Sequence, residues 1–144
     1  MASVAALYTP EVLGLATSLA QWPLGTDLPL LGRARSASCG SVIDIGLALD
    51  GEGRIAALGL AAQACAVGQA AAALFATHAT GRNAQDIAAA EAALARWLAG
   101  EAPLPDWPGL AAIAAAQGYP GRHGAVLLAW RAALAALSGA RAIG

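Results

Sequence analysis

Two cysteines, Cys39 and Cys65, offer the most distinctive chemistry in this chain, and the sequence contains no others. A cysteine thiolate is a ligand for metal ions and a nucleophile. The chain has no positive residue before Arg33 and reaches Pro10 early, so its first segment is a poor match to a signal peptide. Two cysteines in that context favour thiols for metal binding or chemistry over a structural disulfide.

The segment between the two cysteines predicts a β-hairpin. The first strand, Ser41–Leu49, has apolar residues at every second position, namely Ile43, Ile45, Leu47 and Leu49. Residues 50–53 include two glycines and suit a turn. The returning strand, Arg54–Ala61, alternates again, with Ala56, Leu58 and Leu60 on one side. Each strand therefore presents one apolar face to a core.

The register of this hairpin decides where the cysteines lie. Pairing Leu49 with Arg54 across the turn brings the apolar residues of both strands to the same face. The same register, when continued, sets Cys39 opposite Ala64, one residue from Cys65. We therefore expect both thiols at the same end of the sheet.

The remaining segments predict helices around a small sheet. Five helices are expected: one from Pro10 with Thr9 as its cap, and others at Cys65 to about Thr77, Asn83 to Gly100, about Asp106–Gln117 and about His123–Ser138. A third, edge strand is expected at Gly32–Ser38, beside the hairpin. These elements predict a single α+β domain over residues 1–144, with a small antiparallel sheet of two or three strands and about five helices packed on it.

The composition argues against nucleic-acid and membrane functions. Charged residues make up 12% of the chain, and the formal net charge is −1, so no basic patch of the kind that binds nucleic acid is expected. Ile55–Gly81 has no charged residue, but it contains Gln63, Gln69 and His78, and much of it is alanine. A buried strand followed by a buried helix is therefore favoured over a membrane span, and we expect a cytoplasmic protein.

Three short motifs connect these elements to a known family. They are Cys39-Gly40-Ser41 before the hairpin, Ala64–Ala70 at the start of the second helix, and Pro120-Gly121-Arg122 ahead of Leu128-Ala129-Trp130. In order and spacing they resemble the U-type iron–sulfur cluster scaffold family, which includes the NifU N-terminal domain, IscU and SufU. The resemblance extends from about residue 7 to residue 137, and the proline-rich segment before residue 119 resembles an insertion of the SufU branch.

The resemblance implies a site of three cysteines and one aspartate, of which this chain keeps half. Cys39 and Cys65 match the first two cysteines, whereas Ser41 stands where the family has the aspartate and Ala125 where it has the third cysteine. Cys39 and Cys65 are therefore the candidate ligands for iron or an iron–sulfur cluster, and zinc is another candidate metal. Ser41 and His123 are further candidate ligands. Two chains facing each other would supply four thiolates, so a homodimer is also considered.

Three functions are compatible with this pattern. The chain could be a non-catalytic scaffold or carrier that binds iron or a cluster through Cys39 and Cys65. It could also be a sulfur acceptor that takes persulfide from a cysteine desulfurase, or a degenerate homologue that acts as a protein-binding adaptor or regulator without metal. By resemblance, its partners would be a cysteine desulfurase and cluster-accepting apoproteins. Plainer explanations exist as well, because a cysteine can simply fill a core and His123 equally suits an exposed helix start.

Overall fold

The fold combines a three-stranded antiparallel sheet with helices. The structure is a computed structural model that describes residues 7–143, with side chains described to residue 139. The strands are β1 (Leu30–Arg35), β2 (Val42–Leu49) and β3 (Ile55–Gln63), and they lie in the order β1-β2-β3. The α+β prediction and the third, edge strand are confirmed. The edge strand ends three residues earlier than expected, because the chain turns at Ser36, whose N–H donates to the Ser41 carbonyl at 2.8 Å.

The helices follow the predicted order. They are α1 (Pro10–Ser18), α2 (Ala66–His78), α3 (Ala84–Leu98), a 3₁₀-helix at Leu110–Gly118, and α4 (His123–Ile143). The fourth predicted helix was expected from about residue 106, but it begins later and has 3₁₀ geometry. The reason lies in Gly109, whose φ of 86° is left-handed and cannot continue a helix from residue 106. The last helix continues beyond its predicted end at residue 138.

Side chains cap the first turns of α1 and α3, and the cap at Thr9 is the predicted one. The Thr9 hydroxyl accepts a hydrogen bond from the Val12 N–H at 3.1 Å, and Pro10 occupies the first helical position. Asn83 and Asp86 form a reciprocal capping box at the start of α3, with hydrogen bonds of 3.0 and 2.9 Å. These caps satisfy backbone N–H groups that have no partner within the helix.

The predicted register of the hairpin is wrong by two residues. Leu47 pairs with Leu58 and not with Ala56. The turn is one residue longer than expected, because the Asp50 carboxylate accepts hydrogen bonds from the backbone N–H groups of residues 52 and 54. An irregularity of the ladder next to Leu49 adds the second residue of the shift. Since a shift of two preserves the faces, Ile43, Ile45, Leu47 and Leu60 are still buried. The irregularity, however, buries Ile55 and leaves Ala56 exposed, which had been expected on the apolar face.

Three aromatic rings form the centre of the core. Phe75 of α2 stacks on Trp107 with ring centroids 5.6 Å apart, and Trp130 of α4 meets both rings edge-on at 5.3 and 5.2 Å. The Trp107 indole N–H also donates to the Leu74 carbonyl at 2.9 Å. The proline-rich loop before the 3₁₀-helix is thereby fixed to α2. The uncharged run over residues 55–81 forms β3 and α2, and no helix in residues 7–143 is long and apolar enough to span a membrane.

Helix α4 lies directly against β1, and this contact requires a glycine. A Cβ at Gly32 would collide with the Ala132 carbonyl oxygen and with the Ala136 backbone nitrogen. The backbones of the strand and the helix therefore approach more closely than any larger residue would permit.

We expect Gly32→Ala to destabilise the fold by about 1–3 kcal/mol, the usual cost of overpacking, because α4 must move away from the sheet. Urea unfolding followed by circular dichroism measures this free energy. Gly14→Ala in α1 is the matched control, since a Cβ there has no neighbour within 4 Å and alanine favours a helix by about 1 kcal/mol. Equal stability of the two variants would contradict the close contact between β1 and α4.

Candidate functional site

Cys39 lies at the tip of a tight loop between β1 and β2. The loop is closed by two backbone hydrogen bonds of 2.8 Å, from the Ser36 N–H to the Ser41 carbonyl and from the Gly40 N–H to the Ser36 carbonyl. Gly40 has a φ of 72°, a left-handed conformation that glycine adopts without strain. The loop leaves Cys39 exposed to solvent as a free thiol.

Cys65 occupies the N-cap position of α2, and its side chain makes no capping hydrogen bond. It is partly buried against the core. The turn into the helix is fixed by Gln69, whose side-chain amide donates to the Ala64 carbonyl at 2.8 Å and whose N–H donates to the Cys65 carbonyl at 2.9 Å. The Cys65 thiol is thus free of a local structural bond. It also lies at the positive end of the helix dipole.

Both cysteines line one cavity of about 250 Å³ at the end of the sheet. Its wall is formed by the loop before β2, the end of β3, the start of α2 and the turn before α4; the lining residues are Cys39, Gly40, Ser41, Gln63, Ala64, Cys65 and Arg122. The structure therefore brings the two thiols of the sequence hypothesis together. The shifted register does not separate them, because both lie beyond the last pair of the ladder, Val42 with Gln63.

The surroundings of Cys39 favour its thiolate. Partial burial raises the pKa of the Cys39 thiol, but hydrogen bonds with Ser36 and Ser41 and the positive charge of Arg122 lower it, and the net pKa lies below the ordinary value. The contact with the Ser41 hydroxyl is 3.1 Å long. Ser41 contacts the thiol directly and is itself buried, with 6% of its surface exposed.

Arg122 lies at the site, although in the sequence it was only part of the Pro120-Gly121-Arg122 motif. Among the residues with described side chains, 7–139, it is the one charged residue that lines the cavity, and none of their carboxylates lines it. Its guanidinium donates a long hydrogen bond of 3.4 Å to the Tyr8 hydroxyl, and none of the ion pairs within residues 7–143 involves it. No charge pattern in the sequence distinguishes this arginine from the other seven.

His123 is not brought to the cysteines. It does not line the cavity, and its Nε2 lies 2.9 Å from the Gln117 carbonyl oxygen. A ligand role would require that contact to break, so this role stays a prediction. Within residues 7–143, no group of three or more His, Cys, Asp or Glu side chains could hold a metal ion.

Ala125, at the position of the expected third cysteine, lies beside the cavity wall. It is buried, with 1% of its surface exposed, in the first turns of α4. A Cβ at Gly68 would contact both Ala64, which lines the cavity, and Ala125, at 3.0 and 3.2 Å. A thiol at position 125 would therefore lie beside the wall that Ala64 forms, but the methyl group that is present offers no ligand.

Two comparisons found no likeness: no family model and no curated protein matches the sequence. Solved structures do match. The N-terminal part of a nitrogen-fixing NifU-like protein from Brucella abortus has a TM-score of 0.88 and 22% identity, with 98% of this chain and 99% of that chain covered. A putative iron–sulfur cluster assembly scaffold protein for the SUF system from Fervidobacterium islandicum has a TM-score of 0.82 and 17% identity, with 94% and 99% covered. The chain therefore has the fold of the NifU-like and SufU scaffold proteins, which is the fold that its sequence motifs implied.

Proposed function

We propose that this chain acts in iron–sulfur cluster assembly and holds iron or sulfur in transit at Cys39 and Cys65. One observation carries the proposal: the two cysteines line a single cavity in a fold that matches scaffold proteins along nearly their whole length. A simple core role does not suit Cys39, because its side chain is exposed.

The number of ligands limits what one chain can hold. Zinc and iron–sulfur clusters usually take four protein ligands, and the cavity offers two thiols and the weak hydroxyl of Ser41. The remaining positions would be filled from outside the chain, by a partner protein, a second copy or a small thiol. This incomplete set suits cargo that arrives and leaves better than it suits a permanent metal.

Sulfur transfer needs only one of these thiols. We propose that Cys39 takes sulfur from a cysteine desulfurase and that the cargo passes on to apoproteins. In that step the Cys39 thiolate attacks the outer sulfur of the donor's persulfide, a new S–S bond forms on Cys39, and the donor's cysteine leaves as a thiolate. The exposure of Cys39 and the lowered pKa of its thiol support this role. The chain itself is a carrier and performs no turnover.

A protein-binding adaptor without metal is the second candidate function. It is favoured by the two losses at the site, since Ser41 and Ala125 replace the aspartate and the third cysteine that the resemblance implies. Such a protein would keep the fold and lose the cargo.

We expect anaerobic reconstitution of the wild-type chain to load iron only in a dimer fraction, because two chains together supply four thiolates. Iron analysis and visible absorption across a sizing column test this. Cys39→Ser and Cys65→Ser should each abolish the iron in that fraction. Iron that stays with a monomer, or that survives both substitutions, would contradict the ligand assignment.

We expect Ala125→Cys to move iron toward the monomer, because the new thiol adds a third ligand from the same chain. Ala125→Ser is the matched control, since it has a similar size and no thiol, and it should leave the distribution unchanged. Circular dichroism shows whether the buried substitutions are tolerated. If the wild-type chain loads no iron, while Ala125→Cys combined with Ser41→Asp does, the wild-type chain is not an iron scaffold, and the adaptor function is favoured over it.

We expect iodoacetamide at neutral pH to alkylate Cys39 faster than Cys65, with peptide mass spectrometry as the measurement. Ser41→Ala should slow the reaction of Cys39 by about twofold to tenfold, the usual worth of one hydrogen bond, because its pKa rises toward the ordinary value and less thiolate is present. The difference in the Cys39 alkylation rate between wild type and Ser41→Ala should vanish at a pH above the pKa of the Cys39 thiol in both proteins. Ser38→Ala is the control, since that hydroxyl bonds to Ser36 and not to the thiol. An equal effect of both substitutions would contradict the assigned hydrogen bond.

A further inference from the structure

We propose that Cys39 and Cys65 also form a thiol–disulfide exchange pair for low-molecular-weight disulfides that carry carboxylates, with Arg122 as the anchor for the carboxylate. The proposal uses the same cavity as the function above, but it needs neither iron nor a sulfur donor. The two ideas can therefore fail separately.

The two thiols have the exposures that an exchange pair requires. Cys39 is exposed at the tip of its loop, so a disulfide from solvent can reach it. Cys65 is partly buried in the same cavity and has no capping bond to hold its side chain elsewhere. Cys39 is therefore the attacking residue, and Cys65 is the residue that resolves the mixed disulfide.

The backbone brings these two residues near each other. Val42 and Gln63 are the last pair of the β2–β3 ladder, and antiparallel partners have Cα atoms roughly 4.5–5.5 Å apart. Cys39 lies three residues before that pair and Cys65 two residues after it, and both contact the same cavity. The internal disulfide requires the Cα atoms of Cys39 and Cys65 to lie roughly 4.4–6.8 Å apart, so the loop that carries Cys39 must reach that distance in the oxidised protein.

The charges of the cavity select the partner. Arg122 lines the cavity with no carboxylate beside it and takes part in no ion pair within residues 7–143. The position where the resemblance implies an aspartate is filled by the neutral Ser41, so no fixed negative charge there repels an anion. The side chains of Gln63 and Ser41 add neutral hydrogen-bonding groups to the wall. A volume of about 250 Å³ suits half of a small disulfide better than a peptide.

The chemistry balances with the disulfide as oxidant. The Cys39 thiolate attacks one sulfur of the disulfide, an S–S bond to Cys39 forms, and one small thiolate leaves. The Cys65 thiolate then attacks the sulfur of Cys39, an internal S–S bond forms, and the second small thiolate leaves. The two protons released by the cysteines end on the two small thiols. The protein loses two electrons, and the small disulfide gains them.

The first test follows the products of reduced, metal-free protein with excess dithiodipropionate by mass spectrometry after acid quenching. Wild type is expected to end as the internal disulfide, with the mass of two hydrogens lost and no added group. Cys65→Ser should stop at a mixed disulfide on Cys39. Wild-type protein that ends with small groups on both cysteines would overturn the pairing.

The second test measures selectivity as the ratio of exchange rates with dithiodipropionate, which is anionic, and hydroxyethyl disulfide, which is neutral. Because both disulfides react with the same Cys39 thiolate, the ratio does not depend on how much of the thiol is ionised. Arg122→Gln should lower it by about fivefold at low salt, the upper worth of a partly exposed ion pair. Arg122→Lys should retain most of it, and added salt should reduce it in wild type.

The matched control is Arg96→Gln, because Arg96 is an exposed arginine of α3 that does not line the cavity. This variant should keep the wild-type ratio. The anchor role of Arg122 is overturned if Arg122→Gln leaves the ratio unchanged, or if Arg96→Gln lowers it equally. Exchange without iron loading would contradict only the binding of iron, and iron loading without exchange would contradict only this inference.

Discussion

The antiparallel pairing of β2 with β3 ends at Val42 and Gln63, and the cavity depends on where that pairing stops. Beyond this pair the two chain segments separate. The segment before β2 is the loop that carries Cys39, and the segment after β3 leads into α2, where Cys65 is the N-cap residue. Because the ladder holds strand partners at a fixed separation, the sheet brings both cysteines to the same end of the fold. The start of α2 and the turn before α4 form the rest of the cavity wall.

Glycines in the first turns of α2 and α4 allow the close packing beside the cavity. A Cβ at Gly124 of α4 would collide with the Ser36 hydroxyl, and one at Gly68 of α2 would press on Ala125. The first turn of α4 therefore packs against the loop before β2 and also against the first turn of α2, and Arg122, which directly precedes α4, lines the cavity. The same packing explains why position 125 lies beside the site while contributing no polar atom to it.

The sequence predicted the elements better than their contacts. Alternation and caps located the strands and most helices, since those signals are local. The register failed because it depends on the Asp50 carboxylate, which holds a longer turn than the two glycines suggested. The His123 ring lies against the Gln117 carbonyl, and Gln117 belongs to a 3₁₀-helix where the sequence predicted an α-helix. Arg122 was missed as a site residue because only the folded chain shows that no acidic group accompanies it.

The edges of the sheet bear on how two copies could meet. The outer edge of β3 is paired at Leu60 with the segment at residues 22–23, where the Leu60 N–H donates to the Trp22 carbonyl at 2.8 Å. β1 forms the other edge and carries exposed Arg33 and Arg35. Charged side chains on an edge strand oppose the addition of further strands. Continuous β-sheet growth from chain to chain is therefore disfavoured.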